Sequence, residues 1–573
     1  MTREKALLIC TAVLLAACAD DPAATVADPD AGHGADAGSF KDSGAPVADS
    51  GRDAGGDTGS IPDHDDSDGS PADTLADAAP DAEPDAGFPE DAGFDAGQPP
   101  DGGQPADAGT DAGFDGGTDA GHDAGTPSQF SPSLADLWSG AARFVADPSF
   151  GPPAELYGHA ETCTVPFGGK HLMFYRTFVN QPGGSPAIAL ASSDDGDNWT
   201  AHNAGNPVVP RGGAPGNADD GYLIAPSVHS DGTTLTMVYE AWNGTGKQTV
   251  AAATSADGVA WTKLGTVIPA ASSGWEKGNT GTPSLNLVDG TWFVFYHGFR
   301  GTDGTGALAR GFASGKSVAS VAKHGAPVLT GKAGTWTDVG IGRGDIVEDV
   351  GHYYMVYEGA RGSALCTAQA QYGWGIARSK DLVSWEEWQY NPVLTDIDGS
   401  CGNDMPAWQV IGSRAMVVTT KSDTNGVRRV RLDPSVGAGV ALAAYEAESQ
   451  LDHQTGHADG GDWVATAPGD KAGALVYGPY VTDLAPGVAE ARFRIGGGGA
   501  PGPTVLATLD VNDNNENRAR AQREVTASML PASGYVEIAL PFLVPPDPHR
   551  LEFRVWYKGT GTVRVDKVTI VTR

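Results

Sequence analysis

Long apolar runs are almost absent from this sequence of 573 residues. The one such stretch, Ala6 to Ala17, follows Arg3 and Lys5 and is shorter than the roughly 20 residues that a permanent membrane-spanning helix needs. Its charge and length are typical of a secretion signal over residues 1–18. No other segment is predicted to cross a membrane.

Aromatic and large aliphatic side chains are almost missing from residues 19–126, which carry 27 acidic residues against two basic ones, Lys41 and Arg52. Such a segment cannot bury a core, so we predict a disordered, extended linker. Asp-Ala-Gly recurs ten times there, without the strand or helix period of a solenoid. The acidic residues 63–69 lack EF-hand spacing and predict only loose cation binding.

Net charge is concentrated in that linker. The total of −35 divides into −25 for the linker, +1 for the signal segment and −11 for residues 127–573. The globular part is therefore only mildly acidic, and nucleic acid is not an expected partner.

Cysteine is scarce, with five residues, and Cys10 leaves with the signal. The ending Leu15-Ala16-Ala17-Cys18 resembles a bacterial lipobox, which implies lipidation of Cys18 and an outer-membrane lipoprotein that faces the periplasm or the cell surface. An ordinary signal peptide cut nearby is the alternative. Three thiols then remain in an oxidising compartment, and one disulfide plus one buried thiol is the economical arrangement. The candidate pair is Cys366 with Cys401, which leaves Cys163.

A repeat of about sixty residues starts at residue 155 and predicts a propeller or a solenoid. Tyrosine-rich strands recur as "HLMFYRTF", "LTMVYEAW", "WFVFYHGF" and "YYMVYEGA", and three units carry SxDGxxW or a near copy, which predicts a hairpin turn. With a fifth unit from "GNDMPAWQVIGSRAMVVTT", the units predict five blades of four antiparallel strands within residues 127–438. The segment "AARFVAD" is placed to supply the last strand of the fifth blade and close the ring.

Alignment on the strand tyrosines places two columns of residues on one face of the innermost strand of each unit. The columns are Cys163, Ser227, Ser284, Asp345 and Pro406, and, two residues earlier, Glu161, Ala225, Thr282, Arg343 and Asp404. Together with His159, the charged members are expected to converge on the axis. Burying several carboxylates there is unfavourable for a purely structural protein, whereas a sugar-cleaving site needs one protonated and one ionised carboxyl group.

Two alternatives remain open for these residues. One is a water-filled axial channel in which Arg343 pairs with Asp345 or Asp404. The other is cell adhesion through Arg343-Gly344-Asp345, which predicts that the tripeptide lies on a protruding loop.

The hairpins, the tyrosine-rich second strands and the number of units resemble the five-bladed propeller glycosidases, a group that includes arabinanases, xylosidases and invertases. The resemblance implies a glycosidase that acts on an oligosaccharide or polysaccharide and needs no cofactor for catalysis. We expect the protein to be a monomer. It implies Asp345 or Glu161 as base or nucleophile, Asp404 as the partner carboxylate, and Arg343 and His159 as substrate contacts. The candidate aromatic platforms are Tyr222, Trp275 and Trp336.

This sequence departs from the group in units two and three, where the aligned columns contain no acid. The loop residues Asp219, Asp220 and Glu276 lie just ahead of those strands and are the candidates to replace the missing acids. A non-catalytic glycan-binding protein with the same fold is the alternative function.

Residues 439–573 alternate as seven or more short strands, which predicts a jelly-roll β-sandwich. Its opening and closing segments resemble carbohydrate-binding modules, and the resemblance implies a structural calcium ion held by Glu446, Glu448 and Asp566. The candidate sugar-stacking residues are Trp463, Tyr477, Tyr480 and Trp556, with packing in the core as the alternative.

Overall fold

A computed structural model describes residues 127–156, 161–300, 308–363, 370–395, 402–420, 426–435, 437–531, 533–546 and 548–573, which belong to one compact unit. The predicted signal segment and linker, the lipidation site Cys18, the substrate contact His159 and the pair Cys366 and Cys401 lie outside these residues. Within them, the chain contains no helix with the length and apolarity needed to span a bilayer.

The structure is nearly all β. The helices are short: α1 is Leu134–Ser139 and α2 is Ala447–Gln450, with 3-10 turns at Pro182–Gly184, His202–Gly205, Pro215–Asn217, Val318–Ser320 and Ala527–Met529. Helix α1 begins at a capping box, in which the Ser133 side chain accepts from the backbone N–H of Asp136 and the Asp136 side chain accepts from that of Ser133.

Residues 143–433 form sheets in which strands adjacent in the chain mostly pair antiparallel, as the alternation of apolar residues predicts. The strands are β1 (Arg143–Ala146), β2 (Thr162–Phe167), β3 (Lys170–Thr177), β4 (Ala187–Ser193), β5 (Thr200–Ala201), β6 (Tyr222–Ser230), β7 (Leu235–Trp242), β8 (Thr249–Ser255), β9 (Thr262–Ile268), β10 (Gly278–Val288), β11 (Thr291–Arg300), β12 (Leu308–Gly315), β13 (Ala322–Lys323), β14 (Leu329–Thr330), β15 (Gly340–Asp349), β16 (His352–Arg361), β17 (Gln371–Ser379), β18 (Glu386–Glu387), β19 (Leu394–Thr395), β20 (Ala407–Ile411), β21 (Arg414–Thr420) and β22 (Val427–Asp433). We group them in chain order as repeats one (β2–β5), two (β6–β9), three (β10–β14), four (β15–β19) and five (β20–β22). One parallel pairing, of Leu308 in β12 with Gly340 in β15, joins repeats three and four in a single sheet.

The first strands of the repeats surround a common axis. Each contacts the first strand of the next repeat, and β20 of repeat five contacts β2 of repeat one. Strand β1 pairs antiparallel with β22, from Arg143 opposite Asp433 to Ala146 opposite Val430. The prediction that the segment before the repeats supplies the last strand of the fifth is therefore confirmed.

The SxDGxxW segments form hairpin turns, as predicted. In repeat two the Asp257 carboxylate accepts the backbone N–H groups of Val259 and Ala260, and the Trp261 indole N–H donates to the Gly258 carbonyl. The same contacts recur from Asp195 and from Asp381. Their carboxylates are used by the turns and are not available for chemistry.

Residues 441–572 contain two further sheets around one apolar core. The strands are β23 (Ala441–Glu446), β24 (His457–Asp459), β25 (Asp462–Thr466), β26 (Gly473–Val476), β27 (Pro479–Val481), β28 (Gly487–Gly498), β29 (Val505–Asp513), β30 (Arg518–Thr526), β31 (Val536–Val544), β32 (Leu551–Tyr557) and β33 (Thr562–Thr572). The six-stranded sheet contains β23, β24, β25, β33, β28 and β31, and the five-stranded sheet contains β26, β27, β32, β29 and β30.

The C-terminal sheets pack directly on the repeats. Val488 of β28 belongs to an apolar cluster that includes Phe144 of β1 and Trp374 of β17. The guanidinium of Arg143 donates to the carbonyls of Pro486 and Val488. These contacts hold the C-terminal sheets against the strand that closes the ring.

Candidate active site

Irregular backbone marks the start of the first strand in several repeats. The register against the second strand shifts between Ile224 and Ser227 in β6, and between Gly281 and Ser284 in β10. Ala225 and Thr282, inside these shifts, have φ of 50° and 39°. Bulges and positive φ at a non-glycine residue cost free energy and cluster at functional sites. These strand starts are therefore candidate positions for a functional site.

Glu161 lies just before β2 and is 1% exposed. Its Oε1 accepts from Arg176 Nη1 at 2.8 Å, and its Oε2 accepts from the backbone N–H of Ala225 at 3.0 Å. The guanidinium neutralises a carboxylate that burial alone would penalise. Arg176 is also buried, and its Nε and Nη2 have no hydrogen-bond partner among the described residues.

Glu240 is the acid of repeat two, on the second strand β7, and it is 7% exposed. Its Oε1 accepts from the Tyr222 hydroxyl at 3.1 Å, and its Oε2 accepts from the backbone N–H of Thr282 at 2.9 Å. Burial, with the negative charge of nearby Glu161 adding to it, raises the pKa of Glu240 to about 7. Two carboxyl groups in different electrostatic surroundings thus lie close together.

In repeats three and four, the position that corresponds to Glu240 is occupied by His297 and Glu358. The Glu358 carboxylate is buried and accepts from the backbone N–H of Met405, a residue with φ of 51°. His297 Nδ1 lies 2.6 Å from the Thr282 hydroxyl. Desolvation and the nearby Arg310 guanidinium lower the pKa of His297 to about 3, so the imidazole is neutral.

A single pattern unites these side chains. Arg176, Glu240, His297 and Glu358 each follow the strand tyrosine directly, as Tyr-Arg, Tyr-Glu, Tyr-His and Tyr-Glu. The predicted carboxylates of the site came only from the starts of the first strands, so they include Glu161 but none of these four side chains. Comparing the residue after each tyrosine would have found them, because ionisable residues recur there on a strand that is otherwise apolar.

Arg343 crosses the axis from β15 and is 2% exposed. Its Nη2 donates to the carbonyl of Thr162, the residue after Glu161, at 2.6 Å. Its Nε and Nη1 have no hydrogen-bond partner in the part of the chain that the structure describes. The adhesion interpretation is wrong, because the tripeptide is part of β15 and Arg343 is buried.

The packing of Arg310 explains why the residue between Arg343 and Asp345 is a glycine, Gly344. The buried Arg310 guanidinium donates to the carbonyls of Thr282, Gly342 and Gly344. A Cβ atom at Gly344 would lie 2.7 Å from Arg310 Nε. The glycine is therefore needed where Arg310 passes the strand.

Asp345 lines an axial cavity of about 240 Å³ together with Cys163, Ser227 and Trp408. Its Oδ2 accepts from the backbone N–H of Trp408 at 2.9 Å, and burial raises its pKa. The cavity has lining residues from all five first strands. The structure thus places Asp345 in an axial cavity, whereas Glu161 lies at the strand starts.

Asp404 lies just before β20 and is 2% exposed. Its backbone carbonyl accepts from the Thr419 hydroxyl at 2.9 Å and from the backbone N–H of Thr420 at 3.3 Å. These contacts fix the backbone at the start of repeat five, whose first strand neighbours β2.

The three predicted aromatic platforms make packing contacts. Tyr222 is buried and donates to Glu240. Trp275 stacks on Tyr296 with ring centroids 5.7 Å apart, and Trp336 lies 5.3 Å from Tyr357. Both indoles also cover glycines, since a Cβ at Gly298 or Gly359 would come within 2.7 or 2.2 Å of the indole ring. These positions favour packing for both tryptophans and a contact to Glu240 for Tyr222.

The expectation that loop acids replace the missing acids of repeats two and three is wrong for Asp219 and Glu276. Asp219 pairs with Lys263 at 2.6 Å and accepts from the Tyr239 hydroxyl at 3.0 Å. Glu276 makes the equivalent contacts with Lys323 at 2.9 Å and Tyr296 at 2.8 Å. Both carboxylates hold the tyrosines in place, and the exposed Asp220 makes neither contact among the described residues.

The predicted calcium ligands do not form a metal site as they stand. Asp566 pairs with Arg494, and Glu446 lies 3.8 Å from Lys567 Nζ. No group of three metal-ligating side chains occurs within the described residues. A calcium ion bound by Glu446, Glu448 and Asp566 would have to displace Lys567 and Arg494, and this site stays a prediction.

The raised pKa of Glu240 predicts a pH-dependent stability. Unfolding returns the pKa from about 7 to roughly 4.3, so the folded state binds the proton more tightly. The contribution of Glu240 to the free energy of unfolding is complete at pH values below its pKa in the unfolded chain, and it is lost as pH rises through about 7. We expect Glu240→Gln to gain stability relative to the parent between pH 5 and pH 8, by about 2–3 kcal/mol. Urea unfolding at pH 5 and at pH 8 measures the free energy of unfolding of the variant and the parent. The exposed Glu537→Gln variant is the control, and its stability relative to the parent should not change between these pH values.

Comparison with known proteins gives the following. No protein-family profile matches the chain, and a search of curated proteins gives no match. Among solved structures it is similar to a thermostable family-43 glycoside hydrolase (17% identity, 50% of this chain and 92% of that chain, TM-score 0.39). It is also similar to a β-1,2-mannobiose phosphorylase from Listeria innocua (14%, 51% and 96%, 0.39) and to an exo-1,5-α-L-arabinanase from a bovine ruminal metagenomic library (13%, 49% and 95%, 0.35).

Proposed function

We propose that the protein is an outer-membrane lipoprotein anchored through Cys18. In this proposal a five-bladed β-propeller, followed by a jelly-roll sandwich, cleaves glycosidic bonds. The observation that carries the proposal is the neighbourhood of Glu161 and Glu240. One carboxylate is paired with a guanidinium, and the other is desolvated beside a tyrosine hydroxyl. Separating the protonation of two nearby carboxyl groups is what glycoside cleavage requires.

In this proposal Glu240 is the general acid that protonates the leaving oxygen. Glu161 is the base or nucleophile, because its carboxylate forms an ion pair with the Arg176 guanidinium. Arg343 and the buried acids Glu358 and Asp404 contact sugar hydroxyls. Asp345, in the axial cavity, supports the strand start through Trp408 and does not take part in the bond cleavage.

The test is release of reducing ends from arabinan, xylan and β-mannan by the full chain, with kcat/KM followed against pH. A general acid works only while protonated, so kcat/KM should fall as pH rises above about 7, the pKa of Glu240. A profile that stays flat from pH 6 to pH 9 on a cleaved substrate would contradict the assignment of Glu240.

A second candidate function is glycan binding without cleavage. It is favoured by the near-complete burial of Glu161, Glu240 and Glu358, each of which accepts a backbone N–H and so also fixes a strand start. Retention on a polysaccharide with no release of reducing ends, under conditions where the protein is folded, would support this function over the first.

A further inference from the structure

The residue after the strand tyrosine is a guanidinium in repeat one, a carboxyl group in repeats two and four, and the imidazole of His297 in repeat three. The acids of repeats two and four each accept a backbone N–H at the start of the following repeat, from Thr282 and from Met405. His297 instead contacts Thr282 of its own repeat, whose hydroxyl lies 2.6 Å from the imidazole Nδ1. The proposed function leaves this imidazole without a role.

Glu240 of repeat two and His297 of repeat three meet at Gly281. His297 is the cross-strand partner of Gly281, at the point where the register of β10 shifts. A Cβ atom at Gly281 would lie 2.1 Å from Glu240 Oε2 and 3.1 Å from His297 Nε2. The carboxyl oxygen therefore occupies the space of the absent side chain, and the imidazole Nε2 borders that space. A larger residue than glycine at this position would displace Glu240.

Thr282 connects the two groups. Its backbone N–H donates to Glu240 Oε2 at 2.9 Å, and its hydroxyl is within hydrogen-bond distance of His297 Nδ1. When the hydroxyl donates to Nδ1, the single proton of the neutral imidazole lies on Nε2, the nitrogen beside Glu240. The φ of 39° at Thr282 is strained, and such strain persists where the surrounding structure holds functional groups in place.

The charges around this pair favour a neutral donor beside Glu240. The titratable groups that act on Glu240 are Glu161, Arg176 and Tyr222, and the one that acts on His297 is Arg310. Arg176 is already paired with Glu161, and Arg310 donates to three backbone carbonyls. A carboxylate that forms in a desolvated site needs hydrogen-bond donors. A second cation at the position of His297 would ionise Glu240 before it could act as an acid, whereas a neutral imidazole does not.

We propose that His297 is a positioning residue whose Nε2–H group stabilises Glu240 after Glu240 has given up its proton. In the cleavage step the proton of Glu240 passes to the leaving glycosidic oxygen, and the bond between that oxygen and the sugar carbon breaks. The His297 Nε2–H group then donates to the new carboxylate at Glu240 Oε2, and His297 keeps its own proton throughout. The catalytic part of this inference rests on the proposed function, whereas the pairing of the two side chains does not.

The test compares two replacements of His297 in the full chain. The amide nitrogen of glutamine can take the place of Nε2, and that of asparagine can take the place of Nδ1 only. On a polysaccharide that the parent cleaves, His297→Asn should lower kcat about tenfold and move the fall of kcat/KM to a pH about one unit higher. His297→Gln should keep most of kcat and the pH profile of the parent. His229→Asn, on β6 in the lining of the axial cavity, is the matched control and should behave like the parent.

A second measurement needs no substrate. Urea unfolding at pH 5 and at pH 8 gives the gain in stability that Glu240→Gln produces over this pH range. In the His297→Asn background this gain should be about fivefold larger in the unfolding equilibrium constant, because a carboxyl group without the donor holds its proton to a higher pH. In the His297→Gln background the gain should equal that of the parent. If His297→Asn does not fold, Thr282→Val, which keeps the backbone N–H but removes the hydroxyl, should enlarge the gain in the same direction.

Two results would overturn the proposal. One is a parent-like pH dependence in His297→Asn together with an altered one in His297→Gln, which would assign the role of the imidazole to Nδ1 and packing. The other is an equal gain from Glu240→Gln in the parent and in His297→Asn or, where that variant does not fold, in Thr282→Val. Failure of this inference is separable from failure of the proposed cleavage. An enlarged gain without release of reducing ends would support the pair and count against cleavage, and cleavage with an unchanged gain would count against His297 alone.

Discussion

Replacing Arg429 with alanine is expected to lower the free energy of unfolding by about 3–5 kcal/mol. Arg429 lies on β22 and is 1% exposed. Its guanidinium donates to Asp147 at 2.8 Å, to the Gly196 carbonyl at 2.6 Å and to Asp197. It therefore ties the segment after β1, the hairpin of repeat one and repeat five together where the ring closes. Removing it leaves the buried Asp147 without its cation, while Asp197 keeps Arg414, and leaves several polar groups unsatisfied.

Urea unfolding, followed by tryptophan fluorescence, measures the loss at Arg429. The matched control is Arg431→Ala, two residues further on the same strand, whose side chain is 44% exposed and lies 3.6 Å from Asp433. An exposed pair contributes at most about 1 kcal/mol. Arg429→Lys keeps the charge but not the planar set of donors, so we expect an intermediate loss. Equal losses for the Arg429→Ala and Arg431→Ala variants would contradict the role of Arg429 in closing the ring.

Replacing Glu161 or Glu240 with glutamine is expected to lower kcat by about 10²–10⁴-fold on a polysaccharide that the parent cleaves. Glutamine keeps the shape of each side chain but can neither ionise nor transfer a proton. The two variants should differ on an aryl glycoside with a good leaving group, because that substrate does not need protonation. Glu240→Gln should then recover much of its rate, whereas Glu161→Gln should not.

Reducing-end assays and aryl-glycoside release measure these effects, with Glu537→Gln as an exposed control. Asp345→Asn tests which carboxylates take part in cleavage. The first-strand columns predict a role for Asp345, whereas the proposed function assigns cleavage to Glu161 and Glu240. If Asp345→Asn abolishes cleavage while Glu240→Gln is nearly as active as the parent, the assignment of Glu240 is wrong.

The strand order was predictable from the sequence because alternating apolar residues and turn residues report it directly. The tyrosine-rich segments are second strands, and the segment "AARFVAD" pairs with β22. The alternating residues predicted after residue 439 include strands β28 to β33. The number of blades and the jelly-roll topology stay predictions. Local patterns fix which residues form strands, but they do not fix how distant sheets pack.

The candidate site was only partly predictable, because the alternation of apolar and polar residues does not reveal where a strand contains a β-bulge. Glu161 was found, but Glu240 and Glu358 lie on second strands that strict alternation treats as packing. An irregular register between Ile224 and Ser227 brings the Ala225 N–H to Glu161, although the two residues are 64 positions apart. Ion pairs such as Asp219 with Lys263 are likewise long-range, so the sequence did not show that this acid was already engaged.

The pairing of β1 with β22 also has a consequence for biosynthesis. Ala146 is synthesised well before its partner Val430. At about 5–20 residues per second, the intervening chain takes roughly 15–60 s to produce. During that interval β1 and its apolar residue Phe144 have no partner strand, and an unpaired edge is prone to aggregation. The first strand of the ring to be made is therefore the last to be paired, so ring closure is expected to be the slow and vulnerable step of folding.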